Sequence, residues 1–135
     1  MIVVDTNVIS YFYLSSEYSV MTENLFLKNP TWAAPLLWRS EFRNILSFYI
    51  RKQIITLHDA MQIFETAESL LQGREYEVNS NQVLKLSQES GCSAYDCEFV
   101  NLAQDLNVPL VTMDKKILDN FKKTALSIQN YIDNY

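Results

Sequence analysis

With 135 residues, 48% of them hydrophobic and only two glycines and three prolines, the chain has the make-up of one compact domain spanning residues 1–135 and not that of a disordered segment. Its formal net charge of −5 speaks against a protein that grips nucleic acid mainly by broad electrostatic attraction. Two cysteines, Cys92 and Cys97, are too few for a disulfide framework and wrongly spaced for a Cys-x-x-Cys zinc site. No window supplies the ~18 apolar residues of a membrane span. The opening MIVVDTNVIS has no basic segment ahead of its apolar run, so a cytoplasmic protein is expected.

Met1 to Val4 is a short apolar run ending at Asp5 and predicts a buried strand. Asn7–Leu14 and Glu17–Leu27 carry helical patterns. Thr31–Ala34 reads as a second strand between Pro30 and Pro35, and Pro35 suits the first turn of a long helix reaching about Lys52. Thr56 is the expected N-cap of a helix running to Leu71 and ended by Gly73. Ser80–Ser90 is a further helix stopped at Gly91, and Ser93 caps another over Ala94–Leu106. Pro109–Met113 predicts a buried strand, Lys115–Phe121 a short helix, and Leu126–Ile128 a last strand. Strands separated by helices imply a mostly parallel sheet with helices on both faces, whose ligands gather at the carboxyl ends of the strands. Asp5 and Asp114 each follow an apolar strand directly and so fall on that edge.

Two more acids stand out by helical phase. At ~100° per residue, Leu37, Trp38, Phe42, Ile45, Phe48 and Tyr49 form an apolar stripe, and Glu41 falls inside it. A core-facing carboxylate is costly unless something compensates it. On the Ala94 helix, Tyr95, Phe99, Leu102 and Leu106, extended by Val100 and Ala103, form a stripe whose arc includes Asp96. Glu98, Asn101 and Asp105 lie opposite and predict a solvated face. Each acid alone has a plain alternative. A buried ion pair would account for Glu41, a favourable helix-dipole contact for Asp96, and turn positions for Asp5 and Asp114.

Taken together, Asp5, Glu41, Asp96 and Asp114 have one joint explanation. Crowded carboxylates raise one another's pKa values, and a divalent cation reverses that balance. A ligand set of oxygens, free of histidine and cysteine, favours Mg²⁺ or Mn²⁺. Such an ion can orient and acidify a water and neutralise charge on a phosphate, so phosphodiester hydrolysis is the reaction the inventory fits. Thr6 and Asn7 beside Asp5, and Thr112 two before Asp114, are candidates for orienting the carboxylates, with helix capping as the alternative. Arg39, Arg43, Lys115 and Lys116 are candidate phosphate contacts or solvated surface charge. His58 is the sole histidine, which excludes a two-imidazole ribonuclease mechanism, and no Gly-rich phosphate loop is present.

The segments VVDTNVI, WRSEFRNIL, SAYDCEFVNLA and VPLVTMDKKIL, in that order and at family-like gaps, resemble the PIN-domain family, and within it the VapC-type toxins of toxin–antitoxin pairs. The DTN opening alone is weak; the Tyr95–Asp96 helix followed by Thr112-x-Asp114 is far more specific. The resemblance covers nearly the whole chain. It implies a three-layer α/β/α sandwich and a Mg²⁺- or Mn²⁺-dependent endoribonuclease acting on RNA. It also implies a homodimer neutralised by an antitoxin protein. Asp5, Glu41, Asp96 and Asp114 would form the acidic site, supported by Thr6 and Thr112. Asn101 departs from the small apolar residue common at that helix position. Two other classes compete. A receiver-type phosphoacceptor domain would need a mid-chain strand ending in the acceptor aspartate and a later strand ending in lysine. A non-catalytic PIN-like binding module would keep the fold without the reaction.

Overall fold

The structure, a computed structural model, describes residues 1–135. Five strands, β1 (Ile2–Val4), β2 (Trp32–Pro35), β3 (Glu75–Tyr76), β4 (Leu110–Val111) and β5 (Ala125–Leu126), form one sheet in the order β3-β2-β1-β4-β5. Every pairing is parallel. The expected "mostly parallel" sheet is therefore wholly so.

β1 lies at the centre, and Ile2, Val3 and Val4 are all fully buried, because a strand covered on both faces has no solvent side to alternate toward. From β1 the chain builds outward through β2 and β3 on one side, then returns to build β4 and β5 on the other. The direction of winding thus reverses between β1 and β4, and the carboxyl ends of these two strands flank the crevice where such sheets bind ligands.

Eight helices cover the sheet. α1 (Thr6–Tyr13), α2 (Ser19–Lys28), α3 (Leu37–Arg51), α4 (Leu57–Leu71) and α8 (Ile128–Asn134) pack among themselves. α6 (Ala94–Leu106), backed by α5 (Ser80–Ser90), packs on β1, β2 and β4, and α7 (Lys115–Asn120) packs beside β5. The boundaries have local causes. Thr56 and Asp59 close a reciprocal capping box at the start of α4. Ser93 accepts the Asp96 N–H to start α6, and Gly91 ends α5 in the left-handed conformation at φ 74°.

The core holds an aromatic group of Phe12, Phe26 and Trp32 and a stacked pair, Trp38 and Phe64, with ring centroids 5.3 Å apart. The Trp38 indole donates to Glu75 Oε1 at 2.6 Å, and Arg39 grips both oxygens of Glu75 at 2.6 and 2.8 Å and Glu68 at 2.7 Å. This hub ties α3 to α4 and to the edge strand β3. It also removes Arg39 from the candidate phosphate contacts.

Several sequence expectations shift. Pro35 closes β2 instead of opening the following helix, which starts at Leu37. The last strand is Ala125–Leu126, and Ile128 begins α8, a helix the sequence pattern did not indicate. β3 was also unforeseen; its two residues are too short for a periodicity. On α3 the buried ridge is Trp38, Phe42 and Leu46, while Phe48 is 47% exposed. On α6, Tyr95 is 63% exposed and Asn101, expected in solvent, is only 2% exposed. The reason is that α5 covers the second face of α6, so this helix has no broad solvent side. Asn101 Oδ1 accepts the Asn79 N–H at 3.3 Å there.

Candidate active site

Asp5 leaves the end of β1 and serves as the N-cap of α1, its Oδ1 accepting the Thr6 N–H at 2.7 Å. The β1–β4 register, Val3 with Leu110 and Val4 with Val111, sets Thr112 alongside Asp5. The Asp5 N–H bonds Val111 O at 3.0 Å, and the Thr112 hydroxyl donates to Asp5 Oδ2 at 2.7 Å. The same hydroxyl oxygen accepts the Asp114 N–H at 3.0 Å. Asp114 in turn caps α7, its Oδ1 accepting the Ile117 N–H at 2.9 Å. Both strand-end aspartates therefore cap helices as well as standing on the sheet edge.

Glu41 comes from α3, half-buried beside the Trp38–Phe42–Leu46 ridge, and its Oε1 accepts the Thr6 hydroxyl at 2.8 Å. Asp96 sits in the first turn of α6, half-buried, where the Ser93 cap fixes its backbone. Side chains from four remote stretches of chain thus line one cleft of about 310 Å³: Asp5, Thr6, Asn7, Glu41, Asn44, Ile45, Asp96 and Asp114. A groove of about 380 Å³ between α3 and α4 is lined by Leu46, Ile50, Met61 and Phe64 and holds none of these four acids. The strand-end chemistry belongs to the acidic cleft.

The cleft holds its acids away from their ordinary ionisation. Burial pushes the Asp5 carboxyl up to about 7, against the pull of the Thr112 and Thr6 hydrogen bonds, and Glu41 and Asp96 add to the rise. Burial raises Glu41 as well, opposed by Thr6 and reinforced by Asp96 and Glu98. Asp96 is raised by burial and by Asp114, and Lys116 partly offsets this. Such mutual repulsion marks a site with a deficit of positive charge.

All donors are oxygens, which suits a hard cation. No three of the acids are drawn into a closed cage, although four line the cleft. An ion held here would be bound through one or two carboxylates and keep much of its water. Asn7 Oδ1 is buried in the same cleft without a hydrogen-bond partner.

Other predicted residues do not line the cleft, although Lys116 is near enough to Asp96 to act on its carboxyl. Arg43 is exposed and donates to Arg39 O at 3.0 Å, while Lys115 and Lys116 are exposed at the start of α7. His58 is exposed on the first turn of α4. Glu98, read from the sequence as solvated, is half-buried with its carboxyl raised by burial. The sequence reading passes over Asn44 and takes Ile45 only as part of the apolar stripe, though positions three and four after Glu41 share its helix face.

The PIN-domain family model matches residues 2–125, and the chain belongs to the PIN-domain family. PIN domains are generally nucleases and typically use divalent metal ions. Among solved structures, the chain is similar to PAE2754 from Pyrobaculum aerophilum, with 19% identity, a TM-score of 0.77, and coverage of 98% of this chain and 93% of that one. It is also similar to a chain of a toxin–antitoxin complex from Klebsiella pneumoniae, at 14% identity and TM-score 0.72, covering 95% and 98%. FitAcB from Neisseria gonorrhoeae gives 15% identity and TM-score 0.72, covering 96% and 99%. These likenesses show the α/β fold. No curated protein matches by sequence.

Proposed function

We propose that the chain is a Mg²⁺- or Mn²⁺-dependent endoribonuclease, one nuclease unit over residues 1–135, and the toxin of a toxin–antitoxin pair. The observation that carries the reading is the convergence of Asp5, Glu41, Asp96 and Asp114 on one cleft at the carboxyl edge of the sheet. In this reading those four carboxylates hold the metal between them, one or two directly and the others through its waters. When bound, the ion supplies the missing countercharge and a Lewis acid for a phosphodiester. Thr112 and the Thr6 N–H fix both oxygens of Asp5, and the Thr6 hydroxyl fixes Glu41 Oε1. Hydrogen bonds of this kind orient carboxylate ligands before substrate arrives. Glu41 Oε2 has no partner in the protein and is available to take a proton from the water whose oxygen bonds to phosphorus, while the departing oxygen leaves with a proton from solvent.

An antitoxin partner is supported by the toxin–antitoxin complex among the similar folds. RNA as substrate, a homodimer and a cytoplasmic location belong to the same proposal and are supported by membership of the PIN-domain family. The test is cleavage of single-stranded RNA by purified protein with Mg²⁺ or Mn²⁺. Chelator should stop it, and Asp5→Asn or Asp96→Asn should lower it by about a hundredfold or more, the scale for removing one electrostatic stabiliser. Full activity in both variants would remove the proposal.

A further inference from the structure

The acidic cleft is rich in acceptors and poor in donors. Its four carboxylates only accept hydrogen bonds when ionised. The Thr6 hydroxyl is already given to Glu41 and the Thr112 hydroxyl to Asp5. No lysine or arginine lines the cleft. A nucleic-acid backbone brings phosphate oxygens, which also only accept, so a strand entering here meets walls of its own charge. Something in the lining has to donate.

The uncommitted side-chain donors are two carboxamides, Asn7 and Asn44. Asn7 lies on the first turn of α1 with its Oδ1 shut away from water. Asn44 differs. It stands on α3 three residues after Glu41, on the same helix face, and it is exposed. Its carboxamide is engaged by no group of the protein, so a polymer can reach it without displacing anything. Its neutrality also matters. A lysine at this position would pair with Glu41 and compete with a cation for the carboxylate, whereas an amide donates without neutralising the site.

Resting on the nuclease reading above, we propose that Asn44 is a substrate-contacting residue. Its Nδ2–H donates to a non-bridging phosphate oxygen of the bound strand and holds the backbone against the carboxylate wall. Because phosphate is common to both nucleic acids, the contact serves binding of the backbone and not the choice of sugar.

The experiment uses the purified full chain, with wild type and Asp96→Asn as references for metal-dependent cleavage. Asn44→Ala should raise KM for an RNA oligonucleotide roughly tenfold or more, the scale of a hydrogen bond to a charged group, with kcat changed less than about twofold. Asn44→Asp should weaken binding further, and Asn44→Gln should recover part of it. The Mn²⁺-induced rise in melting temperature should be the same in Asn44→Ala as in wild type, which separates substrate contact from metal binding and misfolding. In fluorescence anisotropy with Ca²⁺ present, Asn44→Ala should weaken RNA and DNA of one sequence equally.

Unchanged KM and affinity in Asn44→Ala would overturn the assignment, as would loss of the Mn²⁺ shift or a weakening confined to RNA. If instead wild type fails to cleave, or Asp96→Asn cleaves as well as wild type, the nuclease reading falls, and the anisotropy comparison still decides the role of Asn44.

Discussion

The Thr112 hydroxyl donates a hydrogen bond to Asp5 Oδ2 at 2.7 Å across 107 residues of sequence, and both groups are buried. The same hydroxyl accepts the Asp114 N–H, so one side chain orders the ends of β1 and β4 together. Thr112→Val keeps the shape and removes both bonds. It should destabilise the fold by about 2–3 kcal/mol, because two buried polar groups lose their partner. Metal affinity should fall by roughly 10–100-fold. Chemical denaturation and a Mn²⁺ titration read the two effects separately.

The raised Asp5 carboxyl sets a pH dependence for the metal-free protein. Its folded value of about 7 lies above the ordinary 3.8. The folded state therefore holds this proton over a range where the unfolded chain has released it. The resulting stability is fully present below about pH 4 and is lost as pH rises through 7. Asp5→Asn has no such charge to bury. In chelator at pH 8 it should unfold at higher urea than wild type, and the difference should close as the pH falls toward 4. Adding Mn²⁺ should stabilise wild type markedly and Asp5→Asn much less.

Asn101→Ala strands the Asn79 N–H at the start of α5 and leaves a void in the α5–α6 interface. A loss of about 1–3 kcal/mol is expected in thermal or urea unfolding. RNA cleavage by the folded fraction should match wild type, since Asn101 is not in the cleft lining.

Arg39 is a structural cation held on Glu75 and Glu68. Arg39→Lys cannot reproduce the two-pronged grip on Glu75, so it should recover little of the stability lost in Arg39→Ala. That loss should be on the order of 1 kcal/mol and shrink with added salt, because the pair is partly solvated. KM for RNA should not change in either variant.

Much of the fold was readable because its signals are local. An acid straight after an apolar strand marked Asp5 and Asp114, and Thr56, Ser93 and Gly91 announced helix boundaries. The four cleft acids were separable from twelve other acidic residues by strand ends and helical phase. Phase fails where a helix is covered twice. It placed Asn101 in solvent because it cannot foresee α5 lying over α6. It likewise put Phe48 and Tyr95 in the core, since an apolar arc does not say where the neighbouring layer ends. Asn44 escaped notice because nothing about an exposed asparagine is unusual until Glu41 has been located beside the sheet edge.

The central position of β1 has a consequence during synthesis. The strand is made well before its β4 neighbour and Thr112, which arrive more than a hundred residues later. Until then Asp5 lacks its far-side anchor, and the crevice between the two halves of the sheet does not exist. A polypeptide that stops before β4 therefore never assembles the pocket in which Asp5 and Asp114 face each other.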